Sequence, residues 1–188
     1  MIIPAYNEEA AIASVISQVR QTLDSLGSSY ETIVVDDGSE DDTVRRAYEA
    51  GAKVISHPYN IGNGAAVKSG IRAARGKSYV MLDGDGQHHP DAIPSLLEKL
   101  GPFDMVVGAR TSSSSTDFHR DVANRVFDGL ASYVSGQRID DLTSGFRVIK
   151  ADVARQFVCL LPNSFSYPTT ITLAVIRSGF SLAYVPVR

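Results

Sequence analysis

Short apolar runs alternate with amphipathic stretches through the first hundred residues of the chain. The apolar runs predict buried strands, and they lie at 33–35, 53–55, 79–82 and 105–107. Between them apolar residues recur at helical spacing, which predicts helices at about 8–26, 41–50, 63–75 and 90–100. Alternation of this kind indicates an α/β domain with a doubly wound, mostly parallel sheet.

The regular alternation stops after residue 110. The polar segment 111–116 predicts a loop. After it, the pattern predicts three helices and a last strand, near 118–135, 151–160, 167–178 and 180–187. We expect a single domain over 1–188, in which residues 1–110 form the regular sheet and residues 111–188 add to it. Because the first and last segments look like parts of strands, we also expect the sequence to be truncated at both ends.

The composition excludes several classes of protein. A formal net charge of -3 argues against a dedicated nucleic-acid binder, which usually carries a strongly basic face. Cys159 is the single cysteine, so an intramolecular disulfide and a cysteine-based zinc site are excluded. No apolar run reaches the roughly 18–20 residues of a membrane span, and no signal peptide opens the chain. We therefore expect a cytosolic location.

Polar side chains follow four of the predicted strands. They occupy the segments 4–8, 36–39, 83–87 and 108–110. In open α/β sheets ligands bind beyond the carboxyl ends of the strands, where these segments would meet. A buried carboxylate is costly without a partner, so packing alone does not explain this concentration of polar residues. The pattern predicts a ligand site at this edge of the sheet.

The segment Asp83-Gly84-Asp85 is the most informative of these. Two carboxylates two residues apart, with Gln87 close behind, offer hard oxygen ligands that suit Mg²⁺ or Mn²⁺. Gly84 would allow the backbone to come close to a ligand. A simple turn, in which Asp and Gly are also favoured, is the alternative. His88 and His89 are either further ligands or part of the loop before the next helix.

Two other segments each have two interpretations. Asp36-Asp37-Gly38-Ser39 is a turn with a helix cap, or one of its carboxylates accepts a hydrogen bond from a nucleobase N–H or a ribose hydroxyl. Tyr6 would then lie against the base, or it simply packs. The segment 60–64 is a phosphate-binding loop at a helix N-terminus or a tight turn. Its spacing matches no phosphate-binding fingerprint, which favours the turn.

Together these motifs resemble those of the family-2 glycosyltransferases of the GT-A fold, inverting enzymes that use a nucleotide sugar. The likeness rests on residues 2–9, 34–39, 60–64 and 83–87. Residues 141–147 are similar to the polyprenyl-phosphate branch, which includes the dolichyl-phosphate mannosyltransferases. The resemblance covers essentially the whole chain. It implies a metal-dependent hexosyltransferase with a nucleotide-sugar-binding half, 1–110, and an acceptor-side half, 111–188.

The resemblance also implies roles for individual residues. Those implied to bind the nucleotide sugar are Pro4, Tyr6, Glu8, Val35, Asp37, Asp83 and Gly84. Those implied to hold Mg²⁺ or Mn²⁺ beside the diphosphate are Asp83, Asp85 and Gln87. Those implied to take part in catalysis are Asp85, Arg110, Asp141 and Arg147. The two arginines would steady the acceptor phosphate, and Arg125 is a further arginine on a predicted helix.

The acceptor decides the mechanism. A polyprenyl phosphate is already an anion and needs no general base, so alignment and charge stabilisation suffice. A saccharide hydroxyl would need a base, for which Asp141 is the first choice. The implied partners are a UDP- or GDP-linked sugar and a lipid phosphate at the cytosolic face of a membrane. The chain would reach that membrane through segments outside this sequence.

Two departures from the family pattern lie in the acceptor-side half. Related enzymes often carry an acidic residue where this chain has Tyr167–Thr170, and a Glu within the segment here written Ala183–Pro186. Two other functions fit the sequence less well. A sugar nucleotidyltransferase would carry a Gly-rich basic signature near the amino terminus, where this chain has Pro4–Glu8. A non-catalytic binding module would have no need of Asp83 and Asp85.

Overall fold

The computed structural model describes residues 1–87, 89–110 and 139–187, and its centre is a single seven-stranded sheet. In chain order the strands are β1 (Ile2–Ala5), β2 (Ile33–Asp36), β3 (Lys53–Ser56), β4 (Ser78–Met81), β5 (Met105–Arg110), β6 (Arg147–Lys150) and β7 (Leu182–Val187). The helices are α1 (Ile12–Ser25), α2 (Thr43–Glu49), α3 (Asn63–Ala73), α4 (Ile93–Leu100), α5 (Ala151–Phe157) and α6 (Tyr167–Arg177). Short 3₁₀ turns, Pro90–Ala92 and Val158–Leu160, precede α4 and follow α5.

The strands lie in the order β3-β2-β1-β4-β6-β5-β7. Strands β1 to β4 are parallel to one another, and β7 is parallel to β5. Strand β6 runs antiparallel between β4 and β5. The predicted α/β fold with a doubly wound, mostly parallel sheet is confirmed. The predicted helix near 118–135 and the polar loop 111–116 lie outside the described residues.

Strand β6 is the element that the hydrophobic pattern did not predict. It consists of Arg147-Val148-Ile149-Lys150, so only its two central residues are apolar. Arg147 lies opposite Met81 on one side and opposite Val107 on the other. A run this short, with a cation at each end, carries no strand signal of its own. Hydrogen bonding to β4 on one side and to β5 on the other stabilises the strand, which the local sequence alone does not favour.

Two apolar layers cover the faces of the sheet. Helices α1 and α4 pack on one face, and α3, α5 and α6 pack on the other. Neighbouring strand residues alternate between the layers: Ile3 joins the first and Ile2 the second, because successive side chains of a strand point to opposite faces. The periodicity predicted in α1 is present, with a single buried face formed by Ile12, Val15, Ile16, Val19 and Leu23.

Residues from beyond position 110 share this core. Strands β6 and β7 complete the sheet, and α5 and α6 complete its second layer. The described residues therefore form one fold in which the two predicted halves are joined through a common sheet. Within those residues, none of the helices has both the length and the apolar character needed to cross a membrane.

Candidate functional site

The carboxyl ends of β1, β2 and β4 are joined by backbone hydrogen bonds. The Asp37 N–H donates to the Ala5 carbonyl at 2.8 Å, and the Gly84 N–H donates to the Pro4 carbonyl at 3.2 Å. A Cβ on Gly84 would lie 3.1 Å from the same Pro4 oxygen, which is closer than side chains normally approach. Glycine therefore lets the loop after β4 lie against the end of β1. The structure joins three of the four strand ends that the sequence predicted to meet, whereas β6 separates the fourth, at the end of β5, from β4.

The loop that follows β1 is fixed against the loop that follows β2. Asn7 adopts a left-handed backbone with φ of 55°, a conformation that Asn tolerates better than most residues. Its N–H donates to Ser39 Oγ at 2.9 Å, and its side-chain oxygen accepts from the Glu40 N–H at 2.9 Å. The Glu8 N–H donates to Thr43 Oγ1 at 2.7 Å. These bonds set the positions of the predicted ligand residues on either side of Asn7.

Among those ligand residues, only some are accessible. Tyr6 is 43% exposed beside the strand ends, as a residue that stacks on a base would be. Pro4 is buried at the end of β1, where its carbonyl is already bonded. Val35 is fully buried in β2 and packs in the second apolar layer. Its side chain is part of the core and does not face the strand ends.

Acidic side chains concentrate at the carboxyl edge. Burial raises the pKa of Glu8, and the negative charges of Asp85, Asp41 and Asp83 raise it further. Asp83 is half-buried, whereas Asp85 is exposed and accepts from the Gln87 N–H at 2.9 Å. Several carboxylates within electrostatic range of one another repel, and a cation bound among them would relieve that repulsion.

The acidic edge fits a magnesium or manganese site that is shared with a substrate. Within residues 1–87, 89–110 and 139–187, no group of three or more His, Cys, Asp and Glu is placed to hold a metal ion by itself. A Mg²⁺ bound with a nucleotide commonly takes one or two carboxylates and completes its shell with phosphate oxygens and water. Asp83 and Asp85 supply that number. His89 is exposed, and His88 is not among the described residues.

Asp37 is buried, and the protein engages both of its carboxylate oxygens. Oδ1 accepts from the Ile61 N–H at 3.0 Å and lies 2.7 Å from His57 Nδ1, while Oδ2 accepts from the Gly62 N–H at 2.7 Å. The backbone N–H groups of residues 61 and 62 are therefore bonded to Asp37, which favours the tight-turn interpretation of the segment 60–64. Oδ1 has two partners and Oδ2 has one, so a lone pair remains on Oδ2, and a bond to a nucleoside stays a prediction.

Arg110 and Asp141 form an ion pair at the end of β5. Arg110 Nε lies 2.9 Å from Asp141 Oδ2, and its Nη2 lies 3.2 Å from Oδ1. The backbone N–H groups of Thr143 and Ser144 also donate to Oδ1. Burial on its own would raise the pKa of Asp141, but the hydrogen bonds and charge of Arg110 outweigh burial, and the pKa is lowered. A carboxylate held in this way is a weak base.

Arg147 lies in the interior, at the start of β6. It is fully buried, and its Nη1 donates to the Pro168 carbonyl at 3.0 Å and to Thr172 Oγ1 at 3.2 Å. Its Nη2 donates to the Ser144 carbonyl, and the guanidinium lies 5.8 Å from the centre of the Tyr167 ring. The resemblance led us to expect Arg147 beside the acceptor phosphate. Instead its guanidinium joins the segment before β6 to the first turns of α6.

Gly145 connects the segment 141–147 to the acidic edge. A Cβ on this residue would overlap with the Asp83 carboxylate, so the backbone of the segment lies directly against that side chain. Sequence reasoning identified both motifs but not this contact. It also missed His57, the partner of Asp37. His57 directly follows β3, so the expectation that polar site residues lie just after the strands could have identified it. Arg125 lies outside the described residues.

Comparison with known proteins identifies the family. Residues 1–158 match the family model described as glycosyl transferase family 2. The chain is 28% identical over 184 residues to the undecaprenyl-phosphate 4-deoxy-4-formamido-L-arabinose transferase of Aeromonas hydrophila, covering 90% of this chain and 56% of the relative. It is 27% identical over 164 residues to the dodecaprenyl-phosphate galacturonate synthase of Rhizobium johnstonii, covering 83% of this chain and 48% of that one. The chain thus spans about half the length of these curated relatives.

A solved structure shares the fold. Glucosyl-3-phosphoglycerate synthase from Mycobacterium tuberculosis, in complex with Mn²⁺, UDP and glucosyl-3-phosphoglycerate, superposes with a TM-score of 0.76. The identity is 25%, and the match covers 99% of this chain and 69% of the other. The family match spans most of the chain and the sheet topology agrees with it. The chain therefore belongs to glycosyl transferase family 2 and has the GT-A fold.

Proposed function

We propose that this chain is the catalytic domain of an inverting glycosyltransferase, which moves a sugar from a nucleoside diphosphate to a polyprenyl phosphate. The observation that carries the proposal is the contact between the Asp83 carboxylate and Gly145. It places Asp83, which follows β4, directly beside the segment 141–147. A donor bound at the first and an acceptor bound at the second would meet at one edge of the sheet.

The donor side is proposed to bind a nucleoside diphosphate sugar. Tyr6 is accessible for stacking on a base, and Glu8 and Asp37 lie at the neighbouring strand ends. The mycobacterial synthase, with the same fold, was crystallised with Mn²⁺ and UDP. We propose UDP or GDP as the nucleotide, because nothing described at the end of β2 separates uracil from guanine.

A divalent cation would be held by Asp83, Asp85 and Gln87. When bound, it would neutralise the diphosphate as the bond to the sugar breaks. The protein itself supplies the positions of the carboxylates. Gly84 holds one side of the loop against Pro4, and the bond from the Gln87 N–H orients Asp85.

The acceptor is proposed to be a lipid phosphate. The names of both relatives given above include a polyprenyl phosphate. The state of Asp141 agrees with such an acceptor, because a carboxylate with a lowered pKa in an ion pair is unsuited to removing a proton from a hydroxyl. Arg110, whose side chain is 36% exposed, is proposed to contact the acceptor phosphate. Arg147 is proposed to hold the segment 141–147 in place through its bond to the Ser144 carbonyl.

The proposal is tested by a transfer assay with the purified chain. UDP- and GDP-sugars are offered as donors, and a short-chain polyprenyl phosphate, a free saccharide and 3-phosphoglycerate as acceptors. We expect transfer to the polyprenyl phosphate, which stops on addition of EDTA and returns with excess Mn²⁺. An Asp85→Asn variant serves as the inactive control. Transfer only to the saccharide or to phosphoglycerate would refute the lipid-phosphate acceptor, and transfer to none would refute the activity.

A further inference from the structure

The connection between α5 and α6 exposes large apolar side chains. Phe165 is 80% exposed and Leu160 is 62% exposed. We propose that the segment 160–166, named here the α5–α6 turn, docks on the surface of a lipid bilayer and brings the active-site edge to its acceptor. The proposal rests on the proposed function, since it assumes that the acceptor is a membrane lipid.

The sequence around the turn is unusual for a water-facing surface. Residues 156–176 contain no Asp, Glu, Lys or Arg, although charged residues make up 21% of the whole chain. The polar residues within the turn are Asn163, Ser164 and Ser166, which are neutral. Exposed aromatic and aliphatic side chains among neutral polar groups suit the boundary between headgroups and acyl chains. A charge in the turn would have to be kept out of that boundary.

The topology places the turn beside the predicted donor and metal residues. Helix α6 leads into β7, which is parallel to β5, so the first turn of α6 lies at the carboxyl edge of the parallel strands. Arg147 donates a hydrogen bond to the Pro168 carbonyl in that first turn. Arg147 is two residues after Gly145, which contacts Asp83. The loop after β3 lies against Asn163 and carries Tyr59, which is 67% exposed at the same edge.

The turn is held in place by the rest of the protein. Lys68 Nζ donates to the Leu161 carbonyl at 3.0 Å and also to the Asn163 side-chain oxygen. The Ala65 N–H donates to the Asn163 carbonyl at 3.2 Å. Polar backbone groups bonded inside the protein can approach hydrocarbon at little cost. Because α3 fixes the turn, Phe165 and Leu160 project without having to be ordered on docking.

A bilayer fits the turn better than a second copy of the chain does. A stable protein interface buries about 1,200–2,000 Å² in total, far more than two or three side chains provide. Shallow insertion of a few apolar side chains is by contrast sufficient for reversible membrane binding. The acceptor proposed above has its phosphate at the bilayer–water boundary, so the carboxyl edge must come within reach of that boundary during transfer.

Vesicle co-sedimentation tests the docking. Wild-type chain, Phe165→Ser and Leu160→Ser are incubated with phosphatidylcholine vesicles that contain no polyprenyl phosphate. The matched control is Tyr48→Ser: Tyr48 is 74% exposed near the end of α2, which lies at the opposite edge of the sheet. We expect each turn variant to lower the partition coefficient by about 10-fold, and the control to leave it unchanged. Circular dichroism verifies that every variant is folded.

The following results would overturn the docking proposal. They are failure of the wild type to sediment with vesicles, equal sedimentation of the wild type and the turn variants, and a concentration-dependent dimer that Phe165→Ser abolishes. A transfer assay separates this failure from failure of the proposed function. Phe165→Ser should keep wild-type activity on a water-soluble short-chain acceptor and lose about 10-fold on a long-chain acceptor in vesicles. If the wild type transfers to neither acceptor, the proposed function fails, and sedimentation still decides the docking.

Discussion

The proposed donor side and the proposed acceptor side of this molecule use charged residues in opposite ways. At the ends of β1 and β4 the charged groups are carboxylates that remain partly accessible, such as Asp85. In the segment 141–147 the two charged residues with predicted roles, Asp141 and Arg147, are buried and bonded to the protein. The carboxylates after β1 and β4 thus remain accessible to a ligand, whereas the charged residues that lead into antiparallel β6 are bonded within the protein.

The largest expected effect is on the donor side. Asp85→Asn removes the charge of the exposed carboxylate that would bind the metal. We expect transfer to fall by at least about 100-fold, because a bound cation supplies several kcal/mol of charge stabilisation. The melting temperature should stay within about 2 °C of the wild type, since surface substitutions change stability little. Calorimetry that finds equal nucleotide affinity with Mn²⁺ and with chelator in the wild type would contradict the metal assignment.

The contact between the two sides is tested by Gly145→Ala. The added Cβ would overlap with the Asp83 carboxylate and displace it. We expect transfer to fall by up to about 100-fold, as displacements of about 1 Å in an active site can cause, and Mn²⁺ affinity in the presence of the nucleotide to fall with it. The matched control is Gly101→Ala, where the nearest atom to the new Cβ would be 3.5 Å away. Unchanged metal affinity in Gly145→Ala would show that the metal site does not depend on the contact between Asp83 and the segment 141–147.

The two arginines are predicted to differ in what they stabilise. Arg147→Met leaves the Pro168 and Ser144 carbonyls without their charged donor, and we expect about 1.5–3 kcal/mol less stability in urea unfolding. Arg110→Met leaves the buried Asp141 carboxylate with its backbone N–H donors, so it should cost less, about 1 kcal/mol. Its effect should instead be a raised KM for the acceptor. If Arg147→Met is as stable as the wild type but does not bind the acceptor, Arg147 contacts the phosphate directly.

The smallest expected effect concerns Asp141. Its lowered pKa means that it stabilises the fold at pH above the unfolded value of about 3.9, and that this contribution is lost as the pH falls through the folded pKa. The difference in stability between the wild type and Asp141→Asn should therefore shrink below about pH 4. Transfer at pH 7 should fall by less than about 100-fold, the lower bound for loss of an essential general base. A loss of about 10⁴-fold would mean that Asp141 is the base.

How far the sequence predicted the molecule depended on where each signal lay. The parallel strands were predicted because runs such as 33–35 are apolar on both faces, and their polar ends followed from the topology. Strand β6 was missed because its pairing partners, β4 and β5, lie far from it in the chain. The burial of Arg147 was not predicted for the same reason. A residue expected to steady the acceptor phosphate begins a central strand, where the strands on both sides exclude water.

The site was predicted as a set of residues but not as a set of contacts. Asp37 was correctly placed at a strand end, yet its bonds to Ile61 and Gly62 depend on how the loop after β3 folds back. That path depends on a left-handed glycine at position 62 and on the packing of Asn163 against it. Neither is encoded in the spacing of a motif. Local patterns therefore locate candidate residues, and tertiary contacts decide which of their atoms are available to a ligand.

The direction of β6 has a consequence for engineering the proposed acceptor site. An antiparallel strand places its incoming loop, and not its outgoing one, at the edge where the parallel strands end. Residues 139–146, which lead into β6, thus lie at the proposed substrate edge. Ala151 and Asp152, which follow β6, lie at the opposite edge, where the parallel strands begin. A library intended to change acceptor choice should vary the positions before β6 and leave those after it constant. For the parallel strands β1, β2 and β4, the positions to vary are those that follow the strand.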